Sequence, residues 1–203
     1  FMRGFRSQIL PVQLDFNDEQ NVRELAGLRQ RLVADEPVLF SLLGNTIANF
    51  EDDSQLLAML TEHLLRPQAR LLLEVATTPD VSDAATEAAA VEYERSKAFR
   101  EFVTSALHQS TDLSLDMDSV EFASSVEEDR AIRIKVIYRN SSSRTVALTL
   151  PDRTVVNFAD GDTIRLLLTR KYLRPALASF VREAGLVTDG EAYSAFSSRR
   201  NAH

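Results

Sequence analysis

The chain has 203 residues, of which 44% are hydrophobic and 26% are charged, a composition typical of a folded globular protein rather than a disordered or fibrous one. Thirty acidic and 23 basic residues give a formal net charge of -7, which disfavours binding to nucleic acid or to an anionic membrane surface. With no cysteine, the chain cannot form a disulfide scaffold, a thiolate nucleophile or a cysteine zinc site.

The sequence shows no sign of a membrane segment or a secretory signal, so we expect a cytoplasmic protein. Its three histidines, His63, His108 and His203, are far apart and do not have the spacing of a metal motif. We expect surface histidines and no metal. Because Met2 stands behind Phe1, we also expect the sequence to start inside a longer protein or on a processing remnant.

The first third of the chain alternates between strand and helix patterns. Short apolar runs predict strands at 8–14, 38–43 and 70–76. Helices are expected between them, the first capped by Asn17 and the second starting at Asp52, Asp53 or Ser54. Strands joined through helices indicate a parallel sheet, so we predict an α/β fold with a partial doubly wound sheet.

The pattern changes in the second half. Residues 84–109 are predicted to form one long helix or two with a bend. Beyond Val120 apolar residues alternate, which predicts that one face of a strand is buried and that this strand forms a hairpin with 145–150 across the turn at 140–144. A further strand at 164–169 precedes a helix bracketed by Pro175 and Gly185. The expected buried face consists of Ile132, Ile134, Val136 and Tyr138.

This change of period suggests a division of the chain. We predict an α/β core from residues 1–111 and 170–203, with a β-rich insertion at 112–169. Acidic groups at 51–53 and 127–129 are expected to be solvated turns and helix starts rather than catalytic groups.

The most informative segment is Leu-Gly-Asn-Thr-Ile-Ala-Asn-Phe at 43–50. It follows a predicted buried strand, so it lies at the carboxyl edge of the sheet, where open α/β folds bind ligands. Gly44 would let a ligand approach the backbone, and Asn49 offers both an acceptor and a donor. The alternative is an ordinary turn in which the glycine bends the chain and the asparagine caps a helix.

This segment resembles the loop of the histidine-specific methyltransferases, S-adenosylmethionine enzymes that methylate the α-amine of histidine. The resemblance continues in order through the chain, from about residue 8 to 190. It includes Asp15-Phe16, the segment Glu-Tyr-Glu at 92–94, Val-Glu-Phe at 120–122, Phe-Ala-Asp-Gly-Asp at 158–162 and Thr-Arg-Lys-Tyr at 169–172.

The resemblance implies a Rossmann-like fold, S-adenosylmethionine as cofactor and a small amine or amino acid as substrate. It implies that Asp15 and Phe16 contact the adenine of the cofactor. It further implies a substrate site formed by Gly44, Asn49, Tyr93 and Thr169.

Two departures from the family pattern qualify this assignment. Leu167 stands where the family has a glutamate that anchors the imidazole, so we expect histidine itself to be a poor substrate. The chain also lacks the glycine-rich cofactor turn and the acidic residue that holds the ribose. Either it is the back half of a longer enzyme or it has lost cofactor binding.

Two functions therefore remain open. One is the substrate-binding portion of an N-methyltransferase that is inactive, or nearly so, as this chain alone. The other is a non-catalytic, methyltransferase-like module for ligand binding or subunit assembly, because a fold alone does not specify a function.

Overall fold

A computed structural model describes residues 9–194, in which five α-helices, short 3-10 helices and eight strands form a mixed α/β fold. None of the helices in this range is both long and apolar enough to cross a bilayer. The expectations for His203 and for the remaining residues of the two termini lie outside the described residues. The helices are α1 (Glu19–Val33), α2 (Asp53–His63), α3 (Asp83–Glu94), α4 (Lys97–Ser110) and α5 (Arg174–Glu183). The strands are β1 (Leu39–Leu42), β2 (Arg70–Leu73), β3 (Thr77–Thr78), β4 (Val120–Glu127), β5 (Ala131–Arg139), β6 (Val146–Thr149), β7 (Val155–Phe158) and β8 (Thr163–Leu173).

β1 and β2 form a parallel pair joined through α2, as predicted, with Leu39 opposite Arg70 and Leu42 opposite Leu73. α2 buries its leucines in the core under this pair. The strand predicted at 8–14 is wrong for the described residues 9–14, which have no strand structure. No neighbouring strand in the described part of the chain pairs with them, and an isolated strand leaves its backbone groups without partners.

The starts of α1 and α2 depend on acidic caps. Asp18, and not the predicted Asn17, caps α1, because its carboxylate accepts from the Gln20 amide. Asp52 caps α2 in the same way, through the Gln55 amide. His63 at the end of α2 is largely buried and lies 3.0 Å from a Glu19 carboxylate oxygen, whereas His108 is exposed as expected.

The segment predicted as one helix or two consists of two, α3 and α4. Arg95 and Ser96 separate them, and the Ser96 hydroxyl accepts from the Phe99 amide to start α4. A serine in this position competes for backbone hydrogen bonds and favours a cap over a helix interior.

The main sheet has four strands in the order β3-β8-β5-β4. β5 is antiparallel to both β4 and β8, and β3 is parallel to β8. The predicted alternation in β5 is confirmed, because the exposed fractions of its four inward side chains are 5% or less. These side chains are Ile132, Ile134, Val136 and Tyr138.

The predicted hairpin between β5 and residues 145–150 is wrong. β6 pairs with β7 instead, and β5 continues its pairing with β8. Asn140 explains the difference, because its backbone exchanges hydrogen bonds with Asp162 and Gly161 while its side-chain amide donates to the Phe158 carbonyl. These bonds join the end of β5 to the start of β8, so β6 and β7 form a separate two-stranded excursion.

Helices cover both faces of the main sheet. α3 packs on Ile132 and Ile134, and α4 contributes to the core around Val136 and Tyr138. The opposite face shares a core with β1, β2, α1, α2 and α5 through Ala131 and Tyr172. α5 begins with Pro175 in its first turn and ends before Gly185, which has a φ of 78°, as predicted. β8 runs through residue 170, where the predicted insertion ends and the predicted core resumes. The division of the chain into these two parts stays a prediction.

Candidate functional site

The loop at 44–51 leaves the carboxyl end of β1 and contains a 3-10 helix at Thr46–Asn49. Gly44 has a φ of 71°, a conformation that glycine adopts without strain. Its amide donates to a carboxylate oxygen of Glu74 over 2.9 Å, and Glu74 directly follows β2. The ends of the two parallel strands are therefore joined at the edge where the substrate site was predicted.

Asn45 connects this loop to two other parts of the fold. Its side-chain oxygen accepts from the Ala76 amide at 2.8 Å. Its side-chain nitrogen donates to the Thr169 hydroxyl oxygen and to the Arg170 carbonyl, both at 3.0 Å. Asn45 has a φ of 60°, in the left-handed region that asparagine tolerates better than most residues. The asparagine type at this position was the only sequence signal, and the sequence analysis did not select it.

Arg170 holds the far half of the same loop. This arginine is 1% exposed, and its guanidinium donates to the backbone carbonyls of Ala48, Phe50 and Glu51 at 3.1, 2.5 and 2.9 Å. Because Thr169 and Arg170 are consecutive in β8, their side chains point to opposite faces of the sheet. Two neighbouring residues of one strand thus hold both ends of the 44–51 loop, and sequence analysis missed this arginine too.

Arg170 is part of a buried network of ion pairs and hydrogen bonds. Asp53, 1% exposed, accepts two hydrogen bonds from Arg130, at 2.9 and 2.8 Å, and one from the Tyr172 hydroxyl at 2.6 Å. Glu127 accepts from Arg170 at 2.8 Å. The acidic segments around Asp53 and Glu127 were expected to be solvated. This expectation is wrong for these two residues, because guanidinium groups bind their carboxylates inside the fold.

The pKa values in this network follow from burial and pairing. Burial alone would raise the pKa of Asp53, but hydrogen bonds from Arg130 and Tyr172 and the charge of Arg170 outweigh it and hold the pKa below its ordinary 3.8. Burial, together with the Asp53 charge, raises the pKa of Tyr172. Asp53 is thus an anion and Tyr172 a neutral donor at neutral pH, which suits a structural role.

Tyr93 lies over the face of β8 that carries Thr169. It packs against the Ile132 and Ile134 cluster, and the Lys171 ammonium lies 5.5 Å from its ring centre. In the sheet register Thr169 is opposite Ile134 and Lys171 is opposite Ile132, so all four share one face. Burial, followed by the charge of Glu92, raises the pKa of Tyr93, so its hydroxyl stays protonated at neutral pH.

Asp15 and Phe16 lie just before α1. The Asp15 carboxylate accepts from the backbone and side-chain nitrogens of Asn17, at 2.8 and 3.1 Å, and remains exposed. Phe16 is half-buried and meets Phe50 edge to face, with ring centres 6.5 Å apart. Through Phe50 this pair contacts the end of the 44–51 loop.

These contacts bring some of the predicted site residues together. Gly44 and Thr169 are linked through Asn45, and Phe16 reaches the loop through Phe50. Asn49 is exposed within the loop. The convergence of all six residues on one cleft stays a prediction. Two surface depressions, along α4 and between α3 and β4, include none of the six.

The family model described as histidine-specific methyltransferase, SAM-dependent, matches residues 5–195. The chain belongs to this family. No curated protein matches the chain. The family resemblance noted from the loop and the motifs around it is therefore confirmed, and S-adenosylmethionine is the cofactor of the family.

Family membership makes the position of Leu167 informative. Leu167 is opposite Val136 in the sheet register, on the same face of β8 as Thr169, and packs at the edge of the core under α4. A leucine there cannot accept a hydrogen bond. The surface beside Thr169 is therefore apolar at the position, Leu167, where the resemblance implies a carboxylate.

The chemistry of Asp15 and Phe16 fits the adenine end of the family cofactor. The free edge of the Asp15 carboxylate and the half-buried Phe16 ring suit the amino group and the plane of an adenine. The sequence contains no glycine-rich turn that could hold the ribose and the methionine portion.

Proposed function

We propose that this chain is the substrate-binding portion of a cytoplasmic, S-adenosylmethionine-dependent N-methyltransferase that acts on an amino acid or a related small amine. In this proposal residues 1–111 and 170–203 form a Rossmann-like core, and the β-rich segment 112–169 contributes Thr169 to the substrate site. The observation that carries the proposal is the double attachment of the 44–51 loop to β8, through Asn45 and Arg170.

Methyl transfer depends mainly on placement. The cofactor, when bound, supplies an electrophilic methyl group on a sulfonium. The residues of this chain hold the acceptor amine in line with it, which can replace a large entropic cost, on the order of 7–11 kcal/mol. Gly44, Asn49 and Thr169 border the substrate, and the protonated hydroxyl of Tyr93 donates or accepts a hydrogen bond without acting as a base.

Histidine is a poor candidate for the substrate of this chain. A site built to hydrogen-bond a ring nitrogen discriminates strongly, and replacing its carboxylate with Leu167 removes that discrimination. We infer that the acceptor is an amine whose side chain lacks an imidazole.

The proposal predicts that this chain alone is inactive or nearly so, because the ribose and methionine contacts are missing from its sequence. The test measures transfer of a labelled methyl group from S-adenosylmethionine to a panel of amino acids. It compares the chain alone with the same chain fused behind the glycine-rich half of another family member. We expect turnover only in the fusion, a higher KM for the amino acid in Asn49→Ala and weaker S-adenosylhomocysteine binding in Phe16→Ala.

Ser125→Ala is the control, because Ser125 is an exposed strand residue outside the predicted site. It should leave all three quantities unchanged. A fusion that binds S-adenosylhomocysteine but methylates no member of the panel contradicts the proposal. Turnover by the isolated chain at the same rate as the fusion would contradict the prediction that the chain alone is inactive.

A non-catalytic assembly module is the second candidate, and one observation favours it. Alternate residues of β1 and β2 leave one face of the parallel pair open, with Leu39 and Leu72 exposed by 63% and 52%. Parallel sheets are normally covered on both faces, so an open apolar face suits an interaction surface. Failure of every fusion to transfer methyl groups, together with stable binding of this chain to the glycine-rich half, would favour this function.

A further inference from the structure

β4 is an edge strand of the main sheet. Among the described residues it pairs only with β5, and no hydrogen bond in this part of the chain reaches the backbone of residues 121–126 from the other side. In an antiparallel pair every second residue directs its amide and its carbonyl away from the neighbouring strand. The β4 sequence contains no lysine, proline or bulge, the devices that usually keep such an edge from pairing. β4 can therefore accept a further strand.

α3 lies along this edge, on the sheet face that carries Phe122 and Ser124. The Ser124 hydroxyl donates to the Thr86 carbonyl over 2.7 Å. Closer to the other end of α3, the Arg100 guanidinium donates to the Glu94 carbonyl and lies 5.4 Å from the centre of the Phe122 ring. α3 therefore runs along β4 in the opposite direction, and a groove of about 390 Å³ lies between them.

The wall that α3 contributes to this groove is acidic. Asp83, Glu87 and Glu94 line it and are exposed. In the described part of the chain only Glu94 of these three has a basic partner, Arg100, at 3.5 Å. Like charges four residues apart on a helix repel each other, as Asp83 and Glu87 do. The Thr86 hydroxyl oxygen in the same wall is buried and has no hydrogen-bond partner among residues 9–194. The groove thus lacks a complement of positive charge.

We propose that the α3–β4 groove binds an extended, basic segment of a partner protein, which adds to β4 as a further strand and directs lysine or arginine side chains at the α3 carboxylates. In such strand addition the backbone hydrogen bonds provide affinity, and the alternate side chains provide selectivity. The proposal does not depend on methyl transfer by this chain.

The spacing of the two elements suits such a segment. Residues two positions apart on an extended strand share a face and are separated by about 6.8 Å, and residues four apart on a helix, such as Asp83 and Glu87, by about 6 Å along the axis. Because α3 runs along β4, basic side chains at every second position can each meet one carboxylate. Their apolar stems would cover the Phe122 ring and Val126, which is 38% exposed.

A second copy of this chain is a poorer occupant of the groove. If β4 of one copy paired with β4 of another in a continuous sheet, both α3 helices would lie on the same side and their acidic walls would face each other. The net charge of -7 also opposes association of two copies. A basic segment meets the opposite charge, which favours its association.

The test is a nuclear magnetic resonance titration of the full 203-residue chain with synthetic peptides of about nine residues. In the first peptide lysine alternates with threonine or valine, and in the second glutamate replaces lysine. Spermine supplies positive charge without a peptide backbone. We expect saturable shifts at 83–94 and 120–127 with the lysine peptide, slower hydrogen exchange of alternate β4 amides, and binding of the glutamate peptide that is weaker by about tenfold or more.

Two sets of variants separate charge from backbone pairing. Asp83→Asn combined with Glu87→Gln should weaken binding of the lysine peptide about tenfold. Glu36→Gln combined with Glu62→Gln is the control, because it makes the same change of net charge at exposed positions outside the groove, and it should leave binding unchanged. Methylation of alternate peptide nitrogens removes the donors of one peptide edge only. One of the two methylated forms should lose binding, and the other should keep it.

Several results would overturn the inference. The first is the absence of a saturable shift at 120–127, and the second is equal binding of the glutamate peptide. Equal binding of both methylated peptides, or spermine shifts and protection identical to those of the lysine peptide, would show an acidic surface without strand addition. A dimer in sedimentation whose formation slows exchange of alternate β4 amides would show that a second copy occupies the edge.

Discussion

Several buried polar side chains in this protein form hydrogen bonds with backbone groups as well as with other side chains. Arg170 binds three carbonyls, Asn45 binds one carbonyl and one amide, and Asp53 in α2 binds Arg130 in the β4–β5 turn and Tyr172 in β8. Charged groups of this kind contribute little when exposed, but removing one partner of a buried pair leaves the other without compensation.

Asp53→Asn should destabilise the fold by about 3–5 kcal/mol, because it leaves Arg130 and Arg170 facing a neutral amide in a buried site. Tyr172→Phe removes only one hydrogen bond to the carboxylate and should cost about 1.5–3 kcal/mol. Urea unfolding of both variants measures the difference. A cost below about 1 kcal/mol for Asp53→Asn would mean that the network adds nothing to stability.

Acid should weaken the same network. The pKa of Asp53 is lower in the folded chain than its ordinary 3.8, so ionised Asp53 contributes stability above about pH 4, and this contribution is lost as the pH falls through the folded value. The carboxyl resonance of Asp53, followed by carbon nuclear magnetic resonance from pH 6 to 2.5, should titrate with a midpoint below 3.8. In Tyr172→Phe the midpoint should move upward. A wild-type midpoint above 3.8 is the opposite result and would rule out the stabilising pairs.

At the scale of elements, β8 carries the organisation of the candidate site. It is hydrogen-bonded to β3 and β5, and its residues 169 and 170 hold the 44–51 loop. A loop held by a strand at two points is preorganised, which lowers the entropic cost of binding a ligand.

Arg170→Lys should release the loop. Lysine cannot present the planar group that reaches three carbonyls at once, so hydrogen exchange of the amides at 46–51 should become at least tenfold faster. Arg139→Lys is the control, because Arg139 is on the neighbouring strand β5, is partly exposed and pairs with Glu121 rather than with the 44–51 loop. Equal acceleration in both variants, or acceleration spread evenly over all helices, would show that Arg170 does not hold the loop specifically.

For the whole molecule, the two faces of the β1–β2 pair differ in how far they are covered. Leu71 packs on the core shared by α1, α2 and α5, whereas its neighbour Leu72 is 52% exposed on the opposite face. A parallel pair with one open face is expected to be completed by another layer of structure.

These two neighbours provide a direct test of that asymmetry. In the isolated chain Leu71→Ala should lower the free energy of unfolding by about 2 kcal/mol, because it removes core contacts. Leu72→Ala should change it by less than about 0.5 kcal/mol, because its side chain is solvated already. Chemical denaturation at low protein concentration measures both. Comparable losses would show that the outer face is covered in solution.

The elements that sequence alone determined are those whose stability comes from local chemistry. The buried alternation of β5, the bracketing of α5 by Pro175 and Gly185, and the parallel relation of β1 and β2 all follow from side-chain period and turn residues. The family, too, could be recognised from the 44–51 loop and the order of the motifs around it.

Strand pairing and the hydrogen bonds of buried polar side chains depend on distant partners, and only the tertiary structure decided them. The apolar segment at 9–14 fits a strand pattern but has no neighbour to pair with, and β5 pairs with β8 because Asn140 joins their ends. Asn45 and Arg170 had no recognisable pattern, since the bonds by which they join the loop to β8 link residues more than a hundred positions apart. Local sequence records what a residue favours, but the hydrogen bonds that satisfy a buried polar side chain exist only once remote segments have come together.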